Sequence, residues 1–284
     1  MNGPPAQAQK SRAVLILAPG RSSGQYWGDL WRYRELFVVL AWRDIAVRYK
    51  QTVIGVAWAL LRPLLTMLAL TFVFSRVAKL PTPADVPYAL LVFAALLPWF
   101  LFTTILSEAS ASLIGNANLI SKVYFPRLII PVAAAMVALV DLGINFIILM
   151  ALFLGYRFAP GVEILALPVF TVLCLLASLG PALLVTALNV KYRDFRYIIP
   201  FIIQFGVYVT PVGFSITILP PQWQVLLYLN PAVGAIEGFR WCLLGGTNPL
   251  NPVGMVLNVG VVAIMLALGI GYFRQTERSF ADNI

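Results

Sequence analysis

Few residues in this sequence could do chemistry, and the gaps are as informative as the residues. There is no histidine, which removes imidazole acid–base catalysis, Ser-His triads and His metal sites. The two cysteines, Cys174 and Cys242, lie far apart in apolar surroundings without metal-ligand spacing, so both are expected to be inert packing residues and no metal is expected. No G-x-x-x-x-G-K-[ST] loop occurs, so the chain does not hold ATP in the P-loop manner. What remains is a small set of charges inside apolar runs. Arg62 lies about 15 Å into one run and Asp141 at a comparable depth in another, at 1.5 Å per residue. The spacing suggests an Arg62–Asp141 interaction, a water-filled cavity faced by Arg62, or a snorkelling side chain. Glu237 and Arg240 stand at i, i+3 and are expected to pair with each other.

The elements that must position these charges are membrane helices. Of 284 residues, 61% are hydrophobic and only 11% charged, with a mean hydropathy of +0.88; a soluble domain carries about 25% charged residues. Six stretches are long enough to span, since spanning takes about 20 apolar residues: 52–75, 87–106, 128–155, 164–188, 197–219 and 252–273. A seventh apolar stretch, 220–246, is cut by Pro220 and Pro221, by Asn230 and Pro231, and by Gly245 and Gly246. Its halves, 222–229 and 232–244, are each too short to cross. They are expected to form a re-entrant helical hairpin, which at membrane depth must be buried in protein or line a cavity.

Ahead of the first span, residues 29–50 form an amphipathic segment. Trp31, Val38, Trp42, Ile45 and Tyr49 share one face, and Asp29, Arg32, Arg43 and Lys50 the other, the composition of a helix lying in a membrane surface. Residues 1–28 are expected to be a cytoplasmic tail without a signal peptide, and 274–284 a second one. With the N-terminus inside, Lys and Arg concentrate in the cytoplasmic segments, and only Arg76, Lys79, Arg157 and Arg240 fall outside. That is the positive-inside pattern, and it places both termini in the cytoplasm. The net charge of +9 is then topogenic, with no nucleic-acid partner. The fold class expected is an all-α integral membrane protein: six transmembrane helices, an in-plane helix and a re-entrant hairpin before the last span.

Two connections on the cytoplasmic side are basic, aromatic-bearing and close to the membrane: 115–131, with room for a short helix over 116–124, and 189–200. Either anchoring or partner docking accounts for them. Of the many intramembrane aromatics, Trp58, Phe72, Trp99, Phe102, Phe205 and Tyr208, together with Arg62, are the candidates to line a passage. Aromatic faces pack on the C–H face of a sugar while its hydroxyls keep water; ordinary helix packing is the competing role.

The stretches 43–65, 116–131, 187–204 and 229–245, in this order, make the chain resemble the permease subunit of bacterial polysaccharide ABC exporters of the ABC-2 type, over about residues 33–274. The resemblance implies a homodimer in the inner membrane, with a separate ATPase subunit carrying ATP and Mg, and a lipid-linked polysaccharide as cargo. It implies no enzyme activity and no cofactor in this chain. It assigns ATPase coupling to Asn116, Asn118, Leu119, Lys122, Tyr124, Phe125 and Arg127, with Tyr192, Arg193 and Asp194 alongside. It places an entrance for a lipid pyrophosphate at Arg34, Arg43, Arg48 and Lys50, whose charges suit that group. The hairpin becomes the gate, with Pro220, Pro221, Asn230, Pro231, Glu237 and Arg240. Arg62, where relatives carry neutral residues, departs from the pattern. Export of capsule on a glycerolipid, of teichoic acid, or of a drug or small lipid is the alternative within the class. A secondary transporter would want more intramembrane carboxylates and an inverted repeat. An enzyme acting on a polyprenyl lipid would want acidic or His clusters in its loops.

Overall fold

The computed structural model describes residues 23–50, 53–82, 86–192, 194–247, 249–277 and 280. Among these residues the chain is helical, without strands. In order, the helices are α1 (Ser23–Arg32), α2 (Arg34–Lys50), α3 (Val53–Thr71), α4 (Tyr88–Gly115), α5 (Ala117–Lys122), α6 (Ile129–Tyr156), α7 (Leu167–Lys191), α8 (Phe195–Val209), α9 (Pro221–Leu227), α10 (Pro231–Leu243) and α11 (Pro252–Thr276). A π-helical turn, Phe72–Val77, extends α3. Five helical stretches are long and apolar enough to cross a membrane: Ala57–Val77, Tyr88–Gly115, Ile129–Tyr156, Val162–Lys191 and Pro252–Thr276. The chain is a multi-pass membrane protein.

The fifth expected span, 197–219, is not helical along its whole length. The helix within 197–219 ends at Val209 after 15 residues, about 22 Å at 1.5 Å per residue, short of a bilayer core. The cause is local. Thr210 precedes Pro211, and a residue before proline is driven out of the α region; Thr210 is extended (φ −91°, ψ 143°). Residues 210–215 continue as irregular chain before α9. The second span is longer than expected, since α4 runs on to Gly115. The two halves expected within 220–246 are the short helices α9 and α10, which begin where the prolines put them. Pro221 and Pro231 occupy first-turn positions, where a missing N–H costs nothing, and the Asn230 side chain caps α10 by accepting from the Ala232 N–H.

Helix α4 is the centre of the molecule. Every residue from 90 to 97 is buried, enclosed by α6, α7, α10, α3 and α8. Helix α7 forms the second axis, between α4, α10 and α11. Glycines allow the α7–α11 approach: a Cβ on Gly269 would stand 2.2 Å from the Gly180 carbonyl oxygen. Close approach of this kind is how helices associate where surrounding lipid is as apolar as the interface.

Helices α1 and α2 form a nearly continuous rod broken at Tyr33. Of the expected outward face, Trp31, Val38 and Trp42 are exposed, whereas Ile45 and Tyr49 are half-buried. A third face, which the helical wheel did not single out, packs on the protein: Leu40 and Ala41 are buried in one cluster with Ile129, Ile130 and Ala133 of α6. Because Arg48 and Tyr49 reach Asp141, roughly three turns further along α6, α2 runs alongside the first half of that helix.

Candidate functional site

Helices α3 and α8 both pack on α4. Their outward faces carry Trp58, Leu61, Leu65, Leu68 and Phe72 on α3, and Tyr197, Phe201, Phe205 and Tyr208 on α8, all exposed. Phe201 and Phe205 stand with ring centroids 4.3 Å apart. Arg62 lies on this face with its guanidinium 5.7 Å from the Phe100 ring centroid, inside cation–π range. Higher up, Phe74 packs against Phe214, joining α3 to the chain that follows α8. Exposed aromatic rings, with Arg62 among them, therefore line the outward faces of both helices. Trp58 (58% exposed), Phe72, Phe205 and Tyr208 (65%) belong to this set. Trp99 (6%) and Phe102 (8%) do not: they stack on each other inside the protein, and Trp99 fills the space left by Gly206 of α8. In this structure those two rings pack helices, and the aromatic run of α4 turns inward because α4 is central.

Behind that face, α10 holds a buried ionic clamp. Glu237 (1% exposed) and Arg240 (0%) pair at 3.0 Å, as the i, i+3 spacing suggests. The guanidinium does more than the spacing could show. It donates to the carbonyls of Leu91 on α4 (3.3 Å), Phe214 (2.8 Å) and Val212 (2.9 Å). The irregular segment 210–215 cannot pair its carbonyls within a helix, and Arg240 supplies the donors that buried backbone requires. Asn258 of α11, absent from the expected site residues, plays the matching part at the hairpin's hinge. Its Nδ2 donates to the carbonyls of Tyr228 (3.0 Å) and Asn230 (2.9 Å), while the Asn230 amide donates to Thr210 Oγ1. A lone asparagine in the last apolar span was the available signal. Pro220 and Pro221 open α9, and Pro231 opens α10.

At the end of the bundle carrying α5, a cavity of about 390 Å³ lies between α2, α4 and α6, with Arg43, Asp44, Arg48, Glu108, Ser112 and Asn116 among its lining residues. Two of the four expected entrance residues thus meet here, but both are engaged. Arg43 pairs with Asp44 at 2.7 Å. Arg48 bridges Glu108 (2.7 Å) and Asp141 (2.8 Å), and the Tyr49 hydroxyl also donates to Asp141. Arg34 sits over the Trp31 ring, and Lys50 is exposed at the end of α2. The expected Arg62–Asp141 interaction is corrected: Asp141 is taken by α2, which the packing carries up along α6, and Arg62 faces the aromatic surface instead.

Helix α5 caps this end. Asn116 closes α4, its side-chain amide donating to the Ser112 carbonyl at 2.8 Å. Asn118, Lys122, Val123 and Tyr124 are exposed, Leu119 is half-buried and Phe125 is buried as the anchor. Tyr192 is exposed beside Lys191, Asp194 is exposed ahead of α8, and Arg193 lies outside the described residues. Arg127 is tied down: its backbone N–H donates to Glu277 Oε1 (2.7 Å) and its guanidinium to the Glu277 carbonyl. Burial pushes the Glu277 carboxyl above its ordinary range, against the lowering pull of the Arg127 N–H, Tyr26, Arg127 and Arg274 charges and contacts. Tyr26 is raised for the same reason, with the Glu277 charge adding to it. Among the described residues no group of three His, Cys, Asp or Glu is placed to hold a metal.

Comparison with known proteins adds the context. The ABC-2 type transporter family model matches residues 35–244. An O-antigen export system permease protein RfbA of Klebsiella pneumoniae is 24% identical over 253 residues, covering 87% of this chain and 94% of that protein. The RfbA of Myxococcus xanthus is 25% identical over 259 residues, 90% of this chain and 98% of its own length. The polysialic acid transport protein KpsM of Escherichia coli is 20% identical over 240 residues, 84% and 92% of the two chains.

Proposed function

The chain belongs to the ABC-2 type transporter family, and from that premise we propose that it is the permease subunit of an ATP-driven exporter of a lipid-linked polysaccharide. The observation that carries the proposal is the end-to-end likeness to permeases named for O-antigen export, which leaves no large part of either protein unmatched. The substrate class is an O-antigen-like polymer on polyprenyl pyrophosphate. The likeness to KpsM favours capsule polysaccharide as the second reading.

Two copies, facing each other through the aromatic surface of α3 and α8, would enclose the path. An exposed apolar face this extensive calls for a partner or lipid, and rings with one Arg62 per copy suit a polymer whose sugar faces are apolar and whose edges are polar. The exposed residues Asn118, Lys122, Val123 and Tyr124 of the α5 region would dock the ATPase, which holds ATP and Mg. Helix α2 flanks the entrance on the cytoplasmic side, and the α9–α10 hairpin, held by Arg240 and Asn258, forms the gate at the far end. The Lys and Arg distribution supports two cytoplasmic termini in the inner membrane.

The test is reconstitution of the full chain with the ATPase subunit proposed as its partner. Vanadate-sensitive ATP hydrolysis should appear, polysaccharide should reach the far leaflet, and both should vanish when 116–124 becomes a Gly/Ser linker. Hydrolysis coupled to export of a small lipid but never of polysaccharide would refute the substrate assignment.

A further inference from the structure

We propose that Arg48 is a positioning residue that carries the movement of α4 to α2, so that the entrance helix moves with the ATPase docking helix. This inference rests on the transport reading above and goes beyond it. Helix α5 lies in the connection between α4 and α6, joined to α4 through Asn116 and to α6 through the irregular stretch 123–128. Any displacement of α5 therefore acts on those two helices first. Arg48 is where both of them grip α2: one guanidinium holds Glu108 of α4 at 2.7 Å and Asp141 of α6 at 2.8 Å. The planar fork of Arg can hold two carboxylates at once in fixed directions, which a lysine ammonium on a flexible stem does not. Tyr49, the next residue, adds a second bond to Asp141, so the end of α2 is fixed in rotation as well as position.

Leu40 and Ala41 pack α2 on α6, but towards α4 the contact is slack. Between the grip and the α4–α5 joint lies the 390 Å³ cavity, bounded by Arg43, Val47 and Arg48 of α2 and by Ala111, Gly115 and Asn116 near α5. A helix that faces a void over that length is not driven by packing alone, because a gap transmits no contact force. The Arg48–Glu108 ion pair is then the stiff link between α2 and α4. The two Arg48 ion pairs also account for a cation at an expected pyrophosphate site whose charge is already shared by two carboxylates.

The experiment uses the full chain reconstituted with its ATPase, measuring polysaccharide export and ATP hydrolysis in the same vesicles. Arg48→Lys and Glu108→Gln each keep the Asp141 charge compensated, and each loosens one arm of the grip. Export per ATP should fall about tenfold, the factor of one charge-assisted hydrogen bond, while hydrolysis stays within about twofold. A rescue separates linkage from mere folding. In the Glu108→Gln background, Val47→Cys and Ala111→Cys face the same cavity from α2 and α4, and a short bifunctional thiol reagent should restore export. Cys174 and Cys242 are buried and would not compete. Unchanged export in both single variants, a proportional loss of hydrolysis, or no recovery on crosslinking would each overturn the proposal. If the unaltered chain moves no polysaccharide, the transport reading fails instead, which is a different result.

Discussion

Arg240→Met probes the clamp on which the irregular segment depends. The guanidinium is fully buried, makes three bonds to backbone carbonyls of two separate segments, and compensates Glu237. Removing one partner of a buried pair costs about 3–5 kcal/mol, and each carbonyl left short of a donor adds to this, by about 1 kcal/mol or more. Protonation of Glu237 would relieve part of the charge term. The net expectation is a loss of about 4 kcal/mol, roughly a thousandfold in the folded-to-unfolded ratio. The double variant Glu237→Leu/Arg240→Met removes the charge problem but leaves the carbonyls of Leu91, Val212 and Phe214 short, so about 3 kcal/mol of the loss should remain. The assay is equilibrium unfolding of the full chain in mixed micelles, followed by circular dichroism, with all variants compared at equal slope. A loss below about 1 kcal/mol for Arg240→Met would refute the clamp as a structural element. Full recovery in the double variant would show that Arg240 serves Glu237 alone and that the carbonyl bonds do not hold segment 210–215.

Two further outcomes follow from the packing. Gly269→Val should force α7 and α11 apart, because its Cβ would meet the Gly180 carbonyl at 2.2 Å; a cost above about 4 kcal/mol is expected, read as loss of the monodisperse peak in size-exclusion chromatography, and a stable Gly269→Val protein would disprove the close contact. At Glu277, burial raises the folded-state carboxyl above its ordinary 4.5, so folding binds the proton more tightly. The contribution is fully present below that ordinary value and is lost as pH rises through the raised one. Hydrogen exchange at Arg127 and Leu128 should therefore quicken with rising pH beyond the intrinsic rate, and Glu277→Gln, which keeps an acceptor for the Arg127 N–H, should flatten that dependence.

The sequence by itself determined the elements wherever length or punctuation is decisive. Runs of apolar residues fix the long helices, since only a helix satisfies its own backbone in lipid. Proline and asparagine at 220–221 and 230–231 fix both halves of the hairpin, and i, i+3 spacing fixes the Glu237–Arg240 pair. The break after Val209 was also legible, in Thr210–Pro211, but the apolar run around it masked the signal. Tertiary structure alone decided which way each helix faces. In water, an apolar stripe points to the core; in α4 every side is apolar, so periodicity could not show that Trp99 is packed inside. It also decided the charge partners. Asp141 could be matched to Arg62 by depth, yet it meets Arg48, because α2 is carried alongside α6 by Leu40 and Ala41 packing on Ile129, Ile130 and Ala133. A pair between distant segments is set by which helices touch, and that is a property of the packed bundle rather than of any stretch of chain.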